Sequence, residues 1–153
     1  MVAVGQYWGP PTKKSEKFED GAWNDIDEPP VATAYGNYAV IFDAGNFYYF
    51  GGYDKHDPGN GRDDEILSSI LRLNAATWTW SNVGQLNSAR HAHNAILVGN
   101  TFMVMGGPNI QPNEACLLNN GQFTCEELPS SLDNFIYTAL LTIVSDDFGL
   151  CEN

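Results

Sequence analysis

The chain is poor in basic residues. It has 7 Lys and Arg against 19 Asp and Glu among 153 residues, which gives a formal net charge of −12. The phosphates of nucleic acids repel such a chain, and so does an anionic membrane surface. The composition therefore argues against both as partners. It permits basic protein partners or cations, and it also favours solubility.

Long apolar runs and common catalytic motifs are missing as well. No stretch approaches the roughly 18 apolar residues that a membrane-spanning helix needs. Residues 1–10 lack the basic and apolar segments of a signal peptide. The sequence has no Gly-Lys-Ser phosphate loop, no Gly-x-Ser-x-Gly elbow and no His-Glu-x-x-His. We therefore expect a protein that is not an enzyme, has no cofactor or metal site and does not insert into membranes.

Turn-forming and aromatic residues are plentiful. The chain has 15 Gly, 8 Pro, 4 Trp, 7 Tyr and 8 Phe, and 43% of its residues are hydrophobic. This composition is typical of many short strands joined by tight turns. The sequence therefore predicts an all-β fold.

A repeat runs through the chain. Two apolar strands, in Phe47–Gly52 and Phe102–Gly107, each end in a double glycine, and each follows another apolar strand. A second self-match lies at an offset of 100 residues, between Asp20–Trp23 and Asn120–Phe123. The unit is strand, turn, strand with Gly-Gly, variable loop, strand, turn, strand. Four strands in about 50 residues correspond to one blade of a β-propeller.

The repeated residues resemble the kelch repeat. The matching features are the two glycine doublets, a Thr followed by Trp, and an Arg-x-x-His that opens the next copy: Gly51-Gly52, Thr77, Trp80, Arg90, His93 and Gly106-Gly107. Leu73 stands where the third strand usually has an aromatic, and Phe123 stands where tryptophan is usual. The resemblance implies four-stranded antiparallel sheets arranged as the blades of a propeller.

The pattern divides the chain into about three blades. The pattern predicts strands two to four of one blade in residues 1–32 and full blades in 33–83 and 89–128. It predicts a first strand, or the start of a further blade, in 135–151, and the first strand itself lies at 135–144. Three blades cannot close a ring, since propellers typically have four to eight. Two interpretations stay open: the chain is a fragment of a six-bladed propeller, or a homodimer completes six blades.

The cysteines predict one disulfide. Asn120-Gly121 is a strong signal for a two-residue hairpin turn. In that register Cys116 and Cys125 face each other as a non-hydrogen-bonded pair, within the range of a disulfide. A disulfide favours an oxidising compartment, so we expect an extracellular or secreted protein, with a cytoplasmic location as the alternative. Cys151 is left to stay free or to bond elsewhere.

The kelch resemblance implies a protein-binding module whose ligand face consists of loops. Here these loops are 27–34, 53–65, 83–89, 108–114 and 127–134. The candidate binding residues are Tyr53, Asp54, His56, Asp57, Asn60, Arg62, Arg90 and His91. The acidic loop 53–65 has oxygen ligands suited to Ca²⁺, but their spacing is not that of an EF-hand, so a solvated loop is the favoured interpretation. Arg90 and His93 are also expected to form hydrogen bonds within the fold.

The leading functional hypothesis is therefore protein or peptide binding through loops on a rigid scaffold. A structural module of an extracellular matrix or coat is the alternative. A metal-dependent kelch-like oxidase is a minor alternative, because the chain has only 3 histidines to serve as ligands.

Overall fold

A computed structural model describes residues 2–4, 14–30, 37–54, 65–107 and 111–129. These residues form antiparallel strands, and no helix occurs among them. The expected all-β fold is thus confirmed. The strands are β1 (Val2–Val4), β2 (Ser15–Glu19), β3 (Ala22–Ile26), β4 (Ala39–Asp43), β5 (Asn46–Phe50), β6 (Tyr53–Asp54), β7 (Glu65–Ile66), β8 (Ser69–Asn74), β9 (Trp80–Gln85), β10 (Asn94–Val98), β11 (Thr101–Met105), β12 (Glu114–Asn119) and β13 (Gln122–Glu127).

The strands form three sheets and a short ribbon. Sheet I has the order β1-β2-β3, sheet II β4-β5-β8-β9, and sheet III β10-β11-β12-β13. The ribbon β6-β7 projects from the connection between β5 and β8. Each sheet follows the order of its strands along the chain. Across the described residues, no helix is long and apolar enough to cross a membrane.

The tight turns follow from residues that accept positive φ. Asp20-Gly21 and Asn120-Gly121 have φ values of 52°, 81°, 51° and 80° in chain order. Two successive positive φ values match the right-handed twist of the flanking strands in two-residue hairpins. Ala44-Gly45 has the same form, with φ values of 45° and 77°. These turns set the register of their hairpins.

Sheets II and III pack face to face around the larger core. Sheet II contributes Tyr48, Phe50, Ile70 and Val83, and sheet III contributes Phe102, Val104, Cys116 and Phe123. The Phe123 ring lies edge-on to Tyr48 and Phe50, with centroids 5.4 and 5.5 Å apart. A Cβ on Gly84 would lie 2.8 Å from the Phe123 Cβ. Glycine at position 84 is therefore what lets the two sheets approach here.

Sheet I packs on part of the other face of sheet II, on which Val40 and Phe42 stay exposed. Tyr49, Leu71 and Leu73 form a second cluster, against which Ile26 of sheet I packs. The Trp80 indole Nε1 donates a 2.8 Å hydrogen bond to the Asp27 carbonyl, just beyond β3. The three sheets thus stack in the order I, II, III.

The disulfide predicted from the hairpin register is confirmed. Cys116 faces Cys125 across β12 and β13, and the Cα atoms are 4.0 Å apart. The matching positions in sheet I are Glu16 and Asp25, which also face each other. The same hairpin geometry therefore carries a covalent bond in one sheet and a carboxylate pair in the other.

Reduction of this disulfide should lower the free energy of unfolding by about 2–3 kcal/mol, because it releases a short closed loop in the unfolded chain. Urea unfolding with and without reductant measures the difference. The Cys151→Ser variant should respond equally, since Cys151 is outside this bond. Labelling of the denatured, unreduced chain should find at most one free thiol; three would contradict the assignment.

Candidate binding face at the loop end of the sheets

The order of the strands separates two kinds of connection. In a four-stranded meander, the first and third turns lie at one end of the sheet. The second connection and the link to the next sheet lie at the opposite end. The tight turns of sheet II meet at the first end, where Ala75 N donates to the Gly45 carbonyl at 3.0 Å. The longer connections, 51–68, 86–93 and 106–113, belong to the other end, which we call the loop end.

The glycine doublet of sheet II binds the connection that leads to sheet III. Gly51 N donates to the Ser69 carbonyl at 3.0 Å, and Gly52 N donates to the Arg90 carbonyl at 2.8 Å. Arg90 N in turn donates to the Leu67 carbonyl at 3.0 Å. A Cβ on Gly51 would lie 2.4 Å from the Arg90 oxygen. Glycine at position 51 is thus required by a close approach of backbone to backbone.

Arg90 lies in the interior, with none of its side chain exposed. Its guanidinium donates to the Glu114 carboxylate at 2.7 Å, to the Pro112 carbonyl at 2.7 Å and to the Gly106 carbonyl at 3.2 Å. A buried cation needs such partners, because its hydration is lost. Arg90 therefore holds loop 106–113 against connection 86–93 from inside the fold, and it does not reach the surface.

Glu114 is the anionic partner of Arg90 and is equally buried. Its Oε1 also accepts from Ser88 N at 3.1 Å, and its Oε2 accepts from Asn87 N at 2.7 Å. Both carboxylate oxygens are thus engaged. The Glu114 carboxylate and the sulfurs of Cys116 and Cys125 lie within 4.8 Å of one another. Because these sulfurs are bonded to each other, this cluster is not a metal-binding set.

Tyr53 and His91 meet at the loop end. Their ring centroids are 5.3 Å apart, and both residues are half-buried. Burial lowers the pKa of His91 below its ordinary value, and its Nδ1 has no hydrogen-bond partner among the described residues. Gln111 donates through Nε2 to the Ala89 carbonyl at 2.7 Å. Its Oε1 likewise has no hydrogen-bond partner among the described residues. Both unpartnered atoms are themselves buried, so they lie beneath the surface of the loop end.

His93 packs beneath this surface. It is 7% exposed, and its Cε1 would lie 3.0 Å from a Cβ on Gly51. Neither ring nitrogen makes a hydrogen bond of normal geometry within the described part of the chain. Burial, reinforced by the positive charge of Arg90, lowers the pKa of His93 to about 3. The imidazole is therefore neutral near pH 7, as a core position beside a cation requires.

The candidate binding residues fall into four groups. The structure brings Tyr53 and His91 together at the loop end and places Arg90 in the interior. Asp54 pairs with Glu65 through the backbone of the ribbon. His56, Asp57, Asn60 and Arg62 lie outside the described residues, as does the Asp54 side chain.

Sequence reasoning did not anticipate Glu114 or Gln111. The signal for Glu114 was present, because strand alternation puts Glu114 on the same face as Cys116, which the disulfide prediction had already paired with Cys125. A carboxylate on a buried face needs a cation, and Arg90 is the cation buried nearby. Gln111 lies in a loop and has no comparable periodic signal.

Comparisons with known proteins support the fold alone. No protein-family model matches the chain, and no curated protein matches it. Among solved structures, the chain is similar to the one titled "Structure of YjhT", with 18% sequence identity and a TM-score of 0.52. The match covers 62% of this chain and 28% of that one.

We predict that Gly51→Ala strongly destabilises the fold, because the new Cβ would meet the Arg90 carbonyl. Gly99→Ala is the matched control. Gly99 has φ of 60° against 58° for Gly51, but nothing lies within 4 Å of its added Cβ. The control should cost about 1–2 kcal/mol from backbone strain alone. Gly51→Ala should cost clearly more in urea unfolding; equal losses would show that the close approach is not limiting.

A second prediction concerns acid stability. The pKa of His93 is lowered in the folded state, so between about pH 6.5 and pH 3 the unfolded chain binds the extra proton. The free energy of unfolding should therefore fall as pH falls through this window. His93 contributes at most about 1.4 kcal/mol per pH unit to this fall. The free energy of unfolding of His93→Gln, measured against pH, should lack this contribution.

His91→Gln is the comparison variant for this test. Because His91 is only half-buried, its replacement should change the pH slope less than His93→Gln does. An unchanged slope in His93→Gln would contradict the assignment of a neutral, buried imidazole.

Proposed function

We propose that this chain is part of a kelch-type β-propeller that binds a protein or peptide partner through its loop end. Support for the architecture comes from the stacking, since sheet II contacts a neighbouring sheet on each of its faces. Sheets II and III also share one strand order, in which a glycine doublet follows the second strand. The similarity to a solved structure at a TM-score of 0.52 agrees with a shared arrangement of sheets.

The proposal depends on one observation: tight turns lie at one end of the sheets, and the long connections lie at the other. One end has tight turns with little surface to vary. The other has long connections on a scaffold braced by the Arg90–Glu114 pair. Recognition is commonly placed on loops held by a rigid framework. The half-buried rings of Tyr53 and His91 lie together there and provide an aromatic contact.

The charge of the chain indicates the kind of partner. A net charge of −12 and the acidic sequence of loop 53–65 favour a basic protein or peptide, because complementary charge speeds encounter and excludes wrong partners. The Cys116–Cys125 disulfide supports an extracellular or secreted location. We propose that location together with the binding function.

Exchange of four loop residues tests the binding face. The quadruple variant Asp54→Ala, His56→Ala, Asp57→Ala and Arg62→Ala should lose its partner in a quantitative pull-down, and wild-type capture should weaken as salt is raised. Glu19→Gln is the matched control, since it also removes one net negative charge but lies at the tight-turn end. Equal capture by wild type and quadruple variant, or loss in the control alone, would contradict the proposed face.

A further inference from the structure

The hairpin of β12 and β13 contains a covalent bond that its counterpart in sheet I does not need. In sheet I, the hairpin of β2 and β3 keeps its register through a tight turn of the same kind, with Glu16 opposite Asp25. In sheet III, the hairpin turns at Asn120-Gly121. Such a turn and the strand ladder are sufficient to form a hairpin that packs on a neighbouring sheet. The bond between Cys116 and Cys125 is therefore free to have a further role.

The strand register, and not the bond, sets the spacing of the two cysteines. The cysteines are flanked by residues that pair across the hairpin on both sides: Ala115 with Glu126 and Leu117 with Thr124. The Cα atoms of Cys116 and Cys125 are 4.0 Å apart, because the ladder places them directly opposite each other. Bridged cysteines usually have Cα atoms about 4.4–6.8 Å apart, and a bond outside this range is more easily reduced. After reduction the ladder still holds the two thiols face to face, so an oxidant can form the same bond again.

One of the two sulfurs belongs to an edge strand. β13 is the last strand of sheet III, and no described strand pairs with its outer side. Cys125 on β13 is partly exposed, whereas Cys116 on β12 is fully buried. Thiol–disulfide exchange requires access of the attacking thiolate to a sulfur. The attack is therefore expected at Cys125, with the Cys116 sulfur as the leaving group.

The bond joins two strands that both hold the connection 86–93. On β13, the Cys125 carbonyl accepts a 2.9 Å hydrogen bond from Asn87 Nδ2. On β12, the Glu114 carboxylate accepts from Asn87 N at 2.7 Å and from Ser88 N at 3.1 Å. This carboxylate and the two sulfurs lie within 4.8 Å of one another. Asn87 thus bridges the two strands directly beside the disulfide.

The hairpin end beyond the disulfide brings like charges together. Glu114 faces Glu127 across the strands, and Glu126 directly precedes Glu127. Like charges that lie directly opposite each other weaken a strand pair. Arg90 offsets the charge of Glu114, but the neighbouring acidic pair stays on β13. Without the disulfide, residues 126–127 are therefore held less firmly to β12, and the two anchors of Asn87 separate more easily.

We propose that the Cys116–Cys125 bond is a site of reversible thiol–disulfide exchange whose opening releases the connection 86–93 at the loop end. The substrate is a small thiol or dithiol. The first thiol attacks the Cys125 sulfur and forms a mixed disulfide, while the bond to Cys116 breaks and the Cys116 sulfur takes up a proton. A second thiol attacks the mixed disulfide, leaves as the oxidised thiol pair and frees Cys125 as a thiol. The protein gains two electrons and two protons.

The result is a loop end whose order depends on the redox state of its surroundings. In the oxidised chain, Asn87 and Ser88 are held between β12 and β13. In the reduced chain, the end of β13 frays and these residues lose their partners. The release is local, since the junction of Gly52 with the Arg90 carbonyl does not involve the hairpin. It holds whether or not the loop end binds a protein or peptide.

Redox titration tests the exchange site. The Cys151→Ser chain is equilibrated in native buffer with graded dithiothreitol, and its free thiols are alkylated and counted by mass spectrometry. Both remaining cysteines should become reduced without denaturant, and transfer to oxidised glutathione should restore the same bond. A bond that stays intact until urea unfolds the chain would overturn the proposal.

Single-cysteine chains test which sulfur reacts. On the Cys151→Ser background, Cys116→Ser leaves only Cys125, and Cys125→Ser leaves only Cys116. The free Cys125 should react with an aromatic disulfide reagent at least about 10-fold faster than the free Cys116, because Cys116 is buried. Equal rates, or a faster reaction at Cys116, would contradict attack at Cys125.

Amide hydrogen exchange, followed by NMR, tests the coupling to the loop end. Gly51 is the matched control, because its buried amide donates to the Ser69 carbonyl within sheet II. Reduction should speed exchange at Asn87 and Ser88 by at least about 10-fold more than at Gly51. Equal acceleration at the three amides would show a loss of overall stability instead of a local release. That result, or unchanged rates at Asn87 and Ser88, would overturn the coupling.

A chain without the bond separates its effect from that of the reductant. On the Cys151→Ser background, the double variant Cys116→Ser and Cys125→Ser should show fast exchange at Asn87 and Ser88 with or without dithiothreitol. A response of this variant to dithiothreitol, or exchange as slow as in the oxidised chain, would refute the role of the bond.

Discussion

The approach of one backbone to another at Gly51 is the constraint on which the rest of the described structure depends. The end of β5 lies so close to the carbonyl of Arg90 that no side chain fits between them. The hydrogen bond from Gly52 N to the Arg90 carbonyl then fixes the link between sheets II and III. Because that link starts the next sheet, its position sets how the next sheet lies on the one before.

A buried ion pair completes this junction. Arg90 and Glu114 are both fully buried, and each satisfies the hydrogen-bonding groups of a different loop. Such a pair adds little net stability when its desolvation is counted, but loss of either partner leaves a buried charge unmatched. The pair therefore ties connection 86–93 to loop 106–113, and it gives the loop end a rigid base. Beside it, the Cys116–Cys125 bond holds the outer hairpin of sheet III.

The molecule has two kinds of surface with different physical character. The loop end combines long, variable connections with a braced scaffold, which suits recognition of a charged partner. The outer faces of sheets I and III instead expose the apolar side chains of Trp23 and Leu117.

Turn chemistry and strand alternation determined much of this protein from sequence alone. They identified the all-β fold, the glycine doublets and the pairing of Cys116 with Cys125, because these depend on residues close together in the chain. Only the tertiary structure decided that Arg90 is buried against Glu114 and that Trp23 is exposed. Those outcomes depend on which sheet lies against which face, and residues far apart in sequence set that packing through shape and close contact.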